Sequence, residues 1–131
     1  MTAPAAAPTT PVIVGNDWAV LVPDADSTWT PTRTVSICVP TRNPGPGLAR
    51  TLRCLDAQTY PAELIEIVVA DDGSDTPIVL PDDLTHPARV VRQQRTLDFG
   101  AGRARNLAGA AAAGDILFFL DADVIPERQV V

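Results

Sequence analysis

Strand-length apolar runs alternate with helical patterns throughout residues 34–131, and this alternation limits the possible folds more than any other feature of the chain. Four apolar runs, most of them rich in β-branched residues, predict strands: TVSICVP (34–40), LIEIVVA (64–70), ARVVR (88–92) and DILFFL (115–120). Leucines at i, i+4 and i+7 after the first run predict one helix, and an alanine-dense stretch at about 100–113, ended by Gly114, predicts another. Strands separated by helices form βαβ units, so we expect an α/β fold with a mostly parallel sheet and flanking helices.

Polar loops follow three of the predicted strands, at residues 41–43, 71–74 and 121–123. In a parallel sheet every strand delivers its following loop to the same edge, so we expect these three loops to border one crevice. If the fourth strand returns to lie beside the first, the strand order reverses between them, and ligands bind at such a reversal. The sequence therefore places a candidate ligand site at the carboxyl ends of the strands.

Asp121 and Asp123 follow the fourth run directly, with one residue between them. Carboxylate oxygens are preferred ligands of Mg²⁺ and Mn²⁺, and the two side chains need not both bind metal: one carboxylate would meet a cation and the other, for instance, a ribose hydroxyl. The same Asp-Ala-Asp tripeptide occurs at residues 24–26 after Pro23, in a linker-like segment, so the tripeptide alone decides nothing. Only the later copy follows a strand and borders the predicted crevice, which makes it the candidate Mn²⁺ or Mg²⁺ site.

The Asp-Asp-Gly-Ser stretch after the second run suits a tight turn, and a carboxylate there also suits hydrogen bonding to a nucleobase or ribose. We favour the functional interpretation for Asp72 over Asp71. Gly100 and Gly102, just before the second predicted helix, would let the backbone approach a phosphate at a helix N-terminus. This signal is weak by itself because the full dinucleotide-binding and P-loop spacings are absent.

The formal net charge of −6 argues against general affinity for nucleic acid or an anionic membrane, because both require a basic surface. An anionic ligand would have to be bound locally, and the ten basic residues, all arginine, include a group of four: Arg92, Arg95, Arg103 and Arg105. Guanidinium groups bind phosphate and carboxylate well, whereas a solvated helix face is the alternative for such a group. For Arg103 and Arg105 we expect one phosphate contact and one structural arginine.

Three further side chains with reactive or titratable groups carry no predicted function. Cys38 and Cys54 match neither a disulfide framework nor a metal-binding spacing, so we expect buried free thiols in a reducing compartment. His86 follows a polar stretch and precedes Pro87, where a solvated side chain is expected. No arrangement resembles a nucleophilic triad.

Residues 1–33 are rich in proline, alanine and threonine, a composition typical of linkers, and VIVGNDWAVLVP within them suits a short hairpin. We therefore divide the chain into an N-terminal segment (1–33) and a folded domain (34–131). The start MTAPAAAPTT lacks the charged residues and continuous apolar core of a signal peptide, and no window reaches the length of a membrane-spanning helix. We expect a soluble cytoplasmic chain, with the inner face of the membrane as an alternative location for the full-length protein.

Four stretches, in the order VSICVPTRN, LRCLDAQTYP, IEIVVADDGSD and GRARNLAGAAAAGDILFFLDADVIPE, resemble the N-terminal half of a family 2 glycosyltransferase with the GT-A fold. The resemblance extends from about Thr34 to Glu127 and rests on the ordered set, because each piece alone is weak. It implies a Rossmann-like GT-A nucleotide-binding half. The ligand implied for this half is a nucleotide-sugar, commonly a UDP-sugar.

The resemblance also implies roles residue by residue. The donor would contact Pro40, Thr41 and Arg42 in the first nucleotide-binding loop, Asp72 at the base, Arg103 along the donor site and Asp121 at the ribose. Asp121 and Asp123 resemble the DxD pair of the family, with Asp123 the better candidate for the metal and Asp121 for ribose or metal. Asn106 is expected to brace the helix.

The implied reaction is attack of an acceptor hydroxyl on the anomeric carbon with inversion, with Mn²⁺ or Mg²⁺ stabilising charge on the departing diphosphate. In the family, the general base lies well after the DxD pair, whereas only eight residues follow Asp123 here, so the catalytic base is unknown. We expect the chain alone to bind the donor weakly and not to transfer sugar. The acceptor, whether glycan, lipid or small molecule, is also unassigned. The alternative is a non-catalytic nucleotide-binding or scaffolding module; a nucleotidyltransferase is disfavoured because the first strand lacks a Gly-rich loop with Lys or Arg.

Overall fold

The computed structural model describes residues 30–94 and 100–131. The elements along the chain are, in order, β1 (Val35–Thr41), α1 (Gly47–Asp56), a 3-10 turn (Ala62–Leu64), β2 (Ile65–Asp71), β3 (Ala88–Arg92), α2 (Ala101–Ala111) and β4 (Ile116–Phe119). Each strand lies within one residue of its predicted bounds at both ends, and both predicted helices are present. The predicted hairpin at residues 12–23 falls outside the described residues.

The four strands form one sheet in the order β3-β2-β1-β4, and every neighbouring pair is parallel. This confirms the predicted α/β fold with a parallel sheet and flanking helices. Because β4 lies on the side of β1 opposite to β2, the strand order reverses between β1 and β4, which meets the condition set from the sequence for a ligand site at that place. Thr41 pairs with Asp71 and Cys38 pairs with Phe119, so the carboxyl ends of β1, β2 and β4 meet at one edge of the sheet.

The central strands β1 and β2 are buried on both faces, which explains their nearly continuous apolar sequences. On one face, leucines of α1 pack against alternate strand residues: Leu48, Leu52 and Leu55 against Val35, Ile37, Val39, Ile65, Ile67 and Val69. On the other face, small residues of α2 pack against the intervening ones: Ala104 and Ala108 against Cys38, Val68 and Ala70. The alanines allow α2 to lie close to the sheet.

β4 is an edge strand and is less buried than the central strands. Ile116, Leu117 and Phe119 are 42–47% exposed, whereas the apolar residues of β1 and β2 are at most 4% exposed. Within the described ranges no helix is long and apolar enough to cross a membrane.

The expectation that Gly114 ends α2 is wrong, because the helix ends at Ala111 and Ala112 is its C-cap. Gly114 is required for a different reason: a Cβ at this position would lie 2.7 Å from both the backbone nitrogen and the hydroxyl oxygen of Ser36. Gly114 N–H donates a hydrogen bond to that hydroxyl (2.8 Å). The chain therefore passes directly against β1 as it leaves α2 and enters β4.

Candidate functional site

A cavity of about 650 Å³ lies at the carboxyl edge of the sheet, among the loops after β1, β2 and β4 and the N-terminus of α2. We call it the donor cavity. Its lining includes every residue predicted for the donor and metal sites except Arg103: Pro40, Thr41, Arg42, Asp72, Asp121 and Asp123. The structure thus brings these residues together, while their individual roles stay predictions.

Hydrogen bonds fix the loops after β1 and β2 against each other. Asp72 N–H donates to the Thr41 carbonyl (3.0 Å), just beyond the last paired residues of the two strands. The Asp71 carboxylate is fully buried and accepts a hydrogen bond from Ser74 N–H (2.8 Å), which closes the turn. Asp71 therefore has a turn role, and Asp72 is the member of the pair that lines the donor cavity.

Asp72 lines the donor cavity although only 3% of the residue is exposed. One of its carboxylate oxygens accepts a hydrogen bond from the Gln93 side-chain amide, and the other accepts one from Gly100 N–H (2.7 Å). Gly100 has a φ of 146°, which glycine adopts readily and other residues rarely do. Asp72 therefore joins the end of β2 to the start of α2, a structural role that the sequence did not predict. Each of its carboxylate oxygens retains a second lone pair that can accept a hydrogen bond from a ligand.

The two carboxylates after β4 differ in their contacts. Asp121 accepts a hydrogen bond from the Arg105 guanidinium at 2.6 Å, and its side chain is 58% exposed. Asp123 is exposed, and its carboxylate forms no hydrogen bond or ion pair with residues 30–94 or 100–131. A neighbouring guanidinium repels a cation, so Arg105 disfavours a cation at Asp121 more than at Asp123, while the metal role that the resemblance implies for Asp123 stays a prediction.

The backbone between these carboxylates is held by α1. The hydroxyl of Thr51, a fully buried residue, donates to the carbonyl of Ala122 (2.9 Å). Val124 N–H donates to the Asp121 carbonyl (3.2 Å), which closes a turn around the Asp-Ala-Asp segment. Thr51 was not among the predicted site residues, because a threonine inside a helix has no local signal that it bonds to a loop 71 residues away.

The donor set suits a hard cation that also binds phosphate. Among the residues that the structure describes, no group of three or more His, Cys, Asp or Glu side chains could hold a metal ion. The donor cavity instead offers the two carboxylates of Asp121 and Asp123. Mg²⁺ binds proteins in this way, through one or two carboxylates plus substrate phosphates and waters. The residues present therefore fit a cation that arrives with a phosphate-bearing ligand.

Arg105, and not Arg103, lines the donor cavity. Residues two apart on an α-helix point about 200° away from each other, so the two side chains cannot share one face. A stripe at i, i+3, i+4 and i+7 places Arg105 on the face that Ala101, Ala104 and Ala108 turn towards the cavity and the sheet. This stripe is the sequence signal that would have favoured Arg105; the predicted donor contact of Arg103 stays a prediction.

The expectation of a solvated His86 is wrong, because the residue is only 5% exposed. Its Nδ1 lies 2.7 Å from a carboxylate oxygen of Asp56 at the end of α1. Burial raises the pKa of Asp56, but hydrogen bonds from His86 and Thr85 outweigh it and lower the pKa to about 2. Both cysteines are free as expected, and Cys38 is buried, with a thiol pKa that burial raises. Cys54 was expected to be buried as well, but on α1 it is only half-buried.

Comparison with known protein families matches most of the folded region. The family model described as Glycosyl transferase family 2 matches residues 36–131. The pre-mycofactocin glycosyltransferase of Mycobacterium tuberculosis is 31% identical over 96 residues, which are 73% of this chain and 19% of that protein. The chain therefore spans about a fifth of the length of this relative.

Two solved structures share the fold. S. aureus TarS in complex with UDP superposes with a TM-score of 0.61 and 26% identity, covering 73% of this chain and 29% of that one. The mannosyltransferase PcManGT from Pyrobaculum calidifontis, in complex with GDP-Man and Mn²⁺, superposes with a TM-score of 0.61 and 28% identity, covering 77% of this chain and 30% of that one. This chain is similar to less than a third of either structure.

Proposed function

This chain belongs to glycosyl transferase family 2, and we propose that its donor cavity binds the nucleotide-sugar of a glycosyl transfer reaction. The observation that carries the proposal is the meeting of Asp72, Asp121 and Asp123 in one cavity where the strand order reverses. Open α/β sheets bind ligands at that place. TarS with UDP and PcManGT with GDP-Man support a nucleotide donor.

The donor would lie with its base at the loops after β1 and β2 and its diphosphate at the loop after β4. Thr41, Arg42 and Asp72 form the base end, where Asp72 offers a carboxylate acceptor. Asp121 and Asp123 form the diphosphate end. UDP is the first nucleotide to test, because the family resemblance commonly implies a UDP-sugar and the TarS neighbour holds UDP.

A divalent cation would be held by Asp123, with Asp121 as a second ligand or as the ribose contact. When bound, such a cation stabilises charge on the departing diphosphate. The guanidinium of Arg105 lies at the same end of the cavity and is held there by its hydrogen bond to Asp121. Mn²⁺ is the first cation to test, since PcManGT was solved with it.

Transfer with inversion requires the acceptor oxygen to bond to the anomeric carbon as the bond from that carbon to the diphosphate breaks, while a base removes the hydroxyl proton. We assign the base to none of the described residues. The cavity carboxylates are already engaged: Asp72 with α2, Asp121 with Arg105, and Asp123 with the proposed cation. We therefore propose that these 131 residues bind the donor without completing transfer.

Thermal unfolding of the chain with UDP, with Mn²⁺ and with both tests the donor site, because a ligand that binds the folded form must raise the melting temperature. We expect a rise that needs both ligands. Asp123→Asn should abolish it, since a neutral amide attracts a divalent cation much less than a carboxylate does. Asp26→Asn, in the other Asp-Ala-Asp tripeptide, is the matched control and should keep it.

Two results would contradict the proposal. A cooperatively unfolding chain that shows no shift with UDP and Mn²⁺, nor with GDP and Mn²⁺, has no working donor site. Equal loss of the shift in Asp26→Asn and Asp123→Asn would remove the metal assignment. An assay of nucleotide release with a UDP-sugar completes the test, and sustained sugar transfer by the 131 residues would overturn the statement that they lack the base.

A further inference from the structure

The loops after β1 and β2 are also joined by the side chains of Asn43 and Asp75. Asn43 Nδ2 donates to Asp75 Oδ2 (2.9 Å), and Asp75 N–H donates back to Asn43 Oδ1 (2.8 Å). Asn43 N–H donates to the hydroxyl of Ser74 (2.8 Å), which is a buried residue. We call this arrangement of Asn43, Ser74 and Asp75 the loop clasp.

Asn43 suits this place by its backbone conformation as well as by its amide. Its φ of 44° lies in the left-handed region, and among the described residues it alone has positive φ without being glycine. Asparagine adopts this conformation more readily than most residues, and its side chain carries both a donor and an acceptor. The exchange with Asp75 uses both, so neither alanine nor ionised aspartate at position 43 would reproduce it.

The residues of the loop clasp are close in sequence to residues that line the donor cavity, but they do not line it themselves. Thr41 and Arg42 directly precede Asn43, and Asp72 lies three residues before Asp75. Asn43 and Asp75 themselves line a neighbouring cavity of about 510 Å³. The wall that carries Thr41, Arg42 and Asp72 is therefore held at two places, by the loop clasp and by the hydrogen bond from Asp72 N–H to the Thr41 carbonyl (3.0 Å).

We propose that the loop clasp positions the base end of the donor cavity, so that Asn43 and Asp75 are positioning residues for the nucleotide. The proposal rests on the proposed function, which assigns the base to the loops after β1 and β2. Loops that are ordered before binding lose less conformational entropy on binding, so release of the clasp should weaken nucleotide affinity. The diphosphate end is built on β4 and α2 and should be unaffected.

The test compares the Kd of UDP with that of inorganic pyrophosphate, each with Mn²⁺, by titration calorimetry on the 131-residue chain and its variants. Asn43→Gly removes both side-chain bonds while glycine tolerates the positive φ, and Asp75→Ala removes one bond. Asp82→Ala, an exposed aspartate between β2 and β3, is the control for lost charge.

We expect the Kd of UDP to rise about tenfold in Asn43→Gly and less in Asp75→Ala, while Asp82→Ala matches the unaltered chain. Pyrophosphate, which has no base, should bind all four proteins equally. The double variant of Asn43→Gly and Asp75→Ala should match Asn43→Gly, because the second change then removes a group that has already lost its partner.

An unchanged Kd of UDP in Asn43→Gly, or an equal loss for UDP and pyrophosphate, would overturn the proposal. Melting temperatures without ligand are measured alongside, and if Asn43→Gly unfolds, Asp75→Ala decides, because it removes only one exposed hydrogen bond. Failure of the unaltered chain to bind UDP is a separate outcome. It would overturn the proposed function and, with it, the role of the loop clasp.

Discussion

The guanidinium of Arg105 lies 2.6 Å from a carboxylate oxygen of Asp121, and this pair joins the middle of α2 to the loop after β4. Both side chains are well exposed, at 39% and 58%, so the pair contributes at most about 1 kcal/mol to folding. In the donor cavity, however, the pair holds the Arg105 guanidinium at the end proposed for the diphosphate. The pair should therefore matter more for binding than for stability.

Arg105→Met keeps most of the side-chain length and removes the charge. We expect the Kd of UDP with Mn²⁺ to rise about tenfold or more, while the free energy of unfolding changes by less than about 1 kcal/mol. Calorimetric titration and urea unfolding measure the two quantities. Arg50→Met, at an exposed position of α1, controls for the loss of one positive charge. A larger loss of affinity in Arg103→Met than in Arg105→Met would favour the donor contact predicted for Arg103.

Thr51→Val keeps the shape of a buried side chain and removes the hydroxyl that donates to the Ala122 carbonyl. We expect the free energy of unfolding to fall by about 1 kcal/mol and the Mn²⁺-dependent affinity for UDP to fall with it, because the turn that carries Asp121 and Asp123 loses a fixed bond. Thr51→Ser, which keeps the hydroxyl, should preserve affinity. Equal affinity in Thr51→Val and the unaltered chain would show that α1 does not position the turn.

Gly114→Ala should destabilise the fold by about 1–3 kcal/mol, because the added Cβ would lie 2.7 Å from the backbone nitrogen of Ser36, which cannot easily move. Gly109→Ala is the matched change within α2, where the nearest atom to the new Cβ is a Leu117 methyl at 3.5 Å. There alanine should stabilise the helix by up to about 1 kcal/mol. Chemical unfolding of both variants measures the difference, and equal effects would contradict the close approach at Gly114.

The carboxylate of Glu66 on β2 joins several segments at the end of the sheet opposite to the donor cavity. It accepts hydrogen bonds from the Ser36 hydroxyl (2.6 Å), the Ala113 N–H (2.7 Å) and the Arg89 guanidinium. Burial raises the pKa of Glu66, but these bonds and the Arg89 charge outweigh it and lower the pKa from 4.5 to about 2. Because the folded-state pKa is depressed, the stability that Glu66 contributes is present above the unfolded value and is lost as the pH falls from about 4.5 towards 2.

Glu66→Gln should therefore lower the free energy of unfolding at neutral pH by about 2 kcal/mol. The difference from the unaltered chain should shrink as the pH falls below about 4.5. Urea unfolding across this pH range measures it. Glu63→Gln, at an exposed glutamate of the 3-10 turn, is the control. A difference for Glu66→Gln that stays constant with pH would contradict the depressed pKa.

Local sequence patterns were sufficient to predict the strands, both helices and the parallel sheet. Runs such as IEIVVAD in β2 are apolar apart from Glu66 and Asp71 because the strand is buried on both faces, and the residues of each strand indicate that burial themselves. The meeting of the loops after β1, β2 and β4 followed from the same prediction, since parallel strands end at one edge. For this reason the sequence predicts that Thr41, Asp72 and Asp123 border one crevice.

Contacts between distant segments required the tertiary structure. Thr51 and Ala122 are 71 residues apart, and the bond between them depends on how closely α1 packs on the sheet, which no local pattern encodes. His86 is buried and its backbone N–H donates to Asp56 at the end of α1, although a polar stretch precedes it in the sequence.

The sequence by itself therefore determined the order of elements and the edge of the sheet where the site lies, because hydrophobic periodicity reports which faces are buried. Only the tertiary structure decided which side chains carry out which contacts there: that Asp72 joins β2 to α2, that Arg105 pairs with Asp121, and that Asn43 joins Asp75. Hydrogen bonds and ion pairs between segments far apart in the chain form only when the distance between their atoms is correct to within a few tenths of an ångström. Packing alone sets that distance.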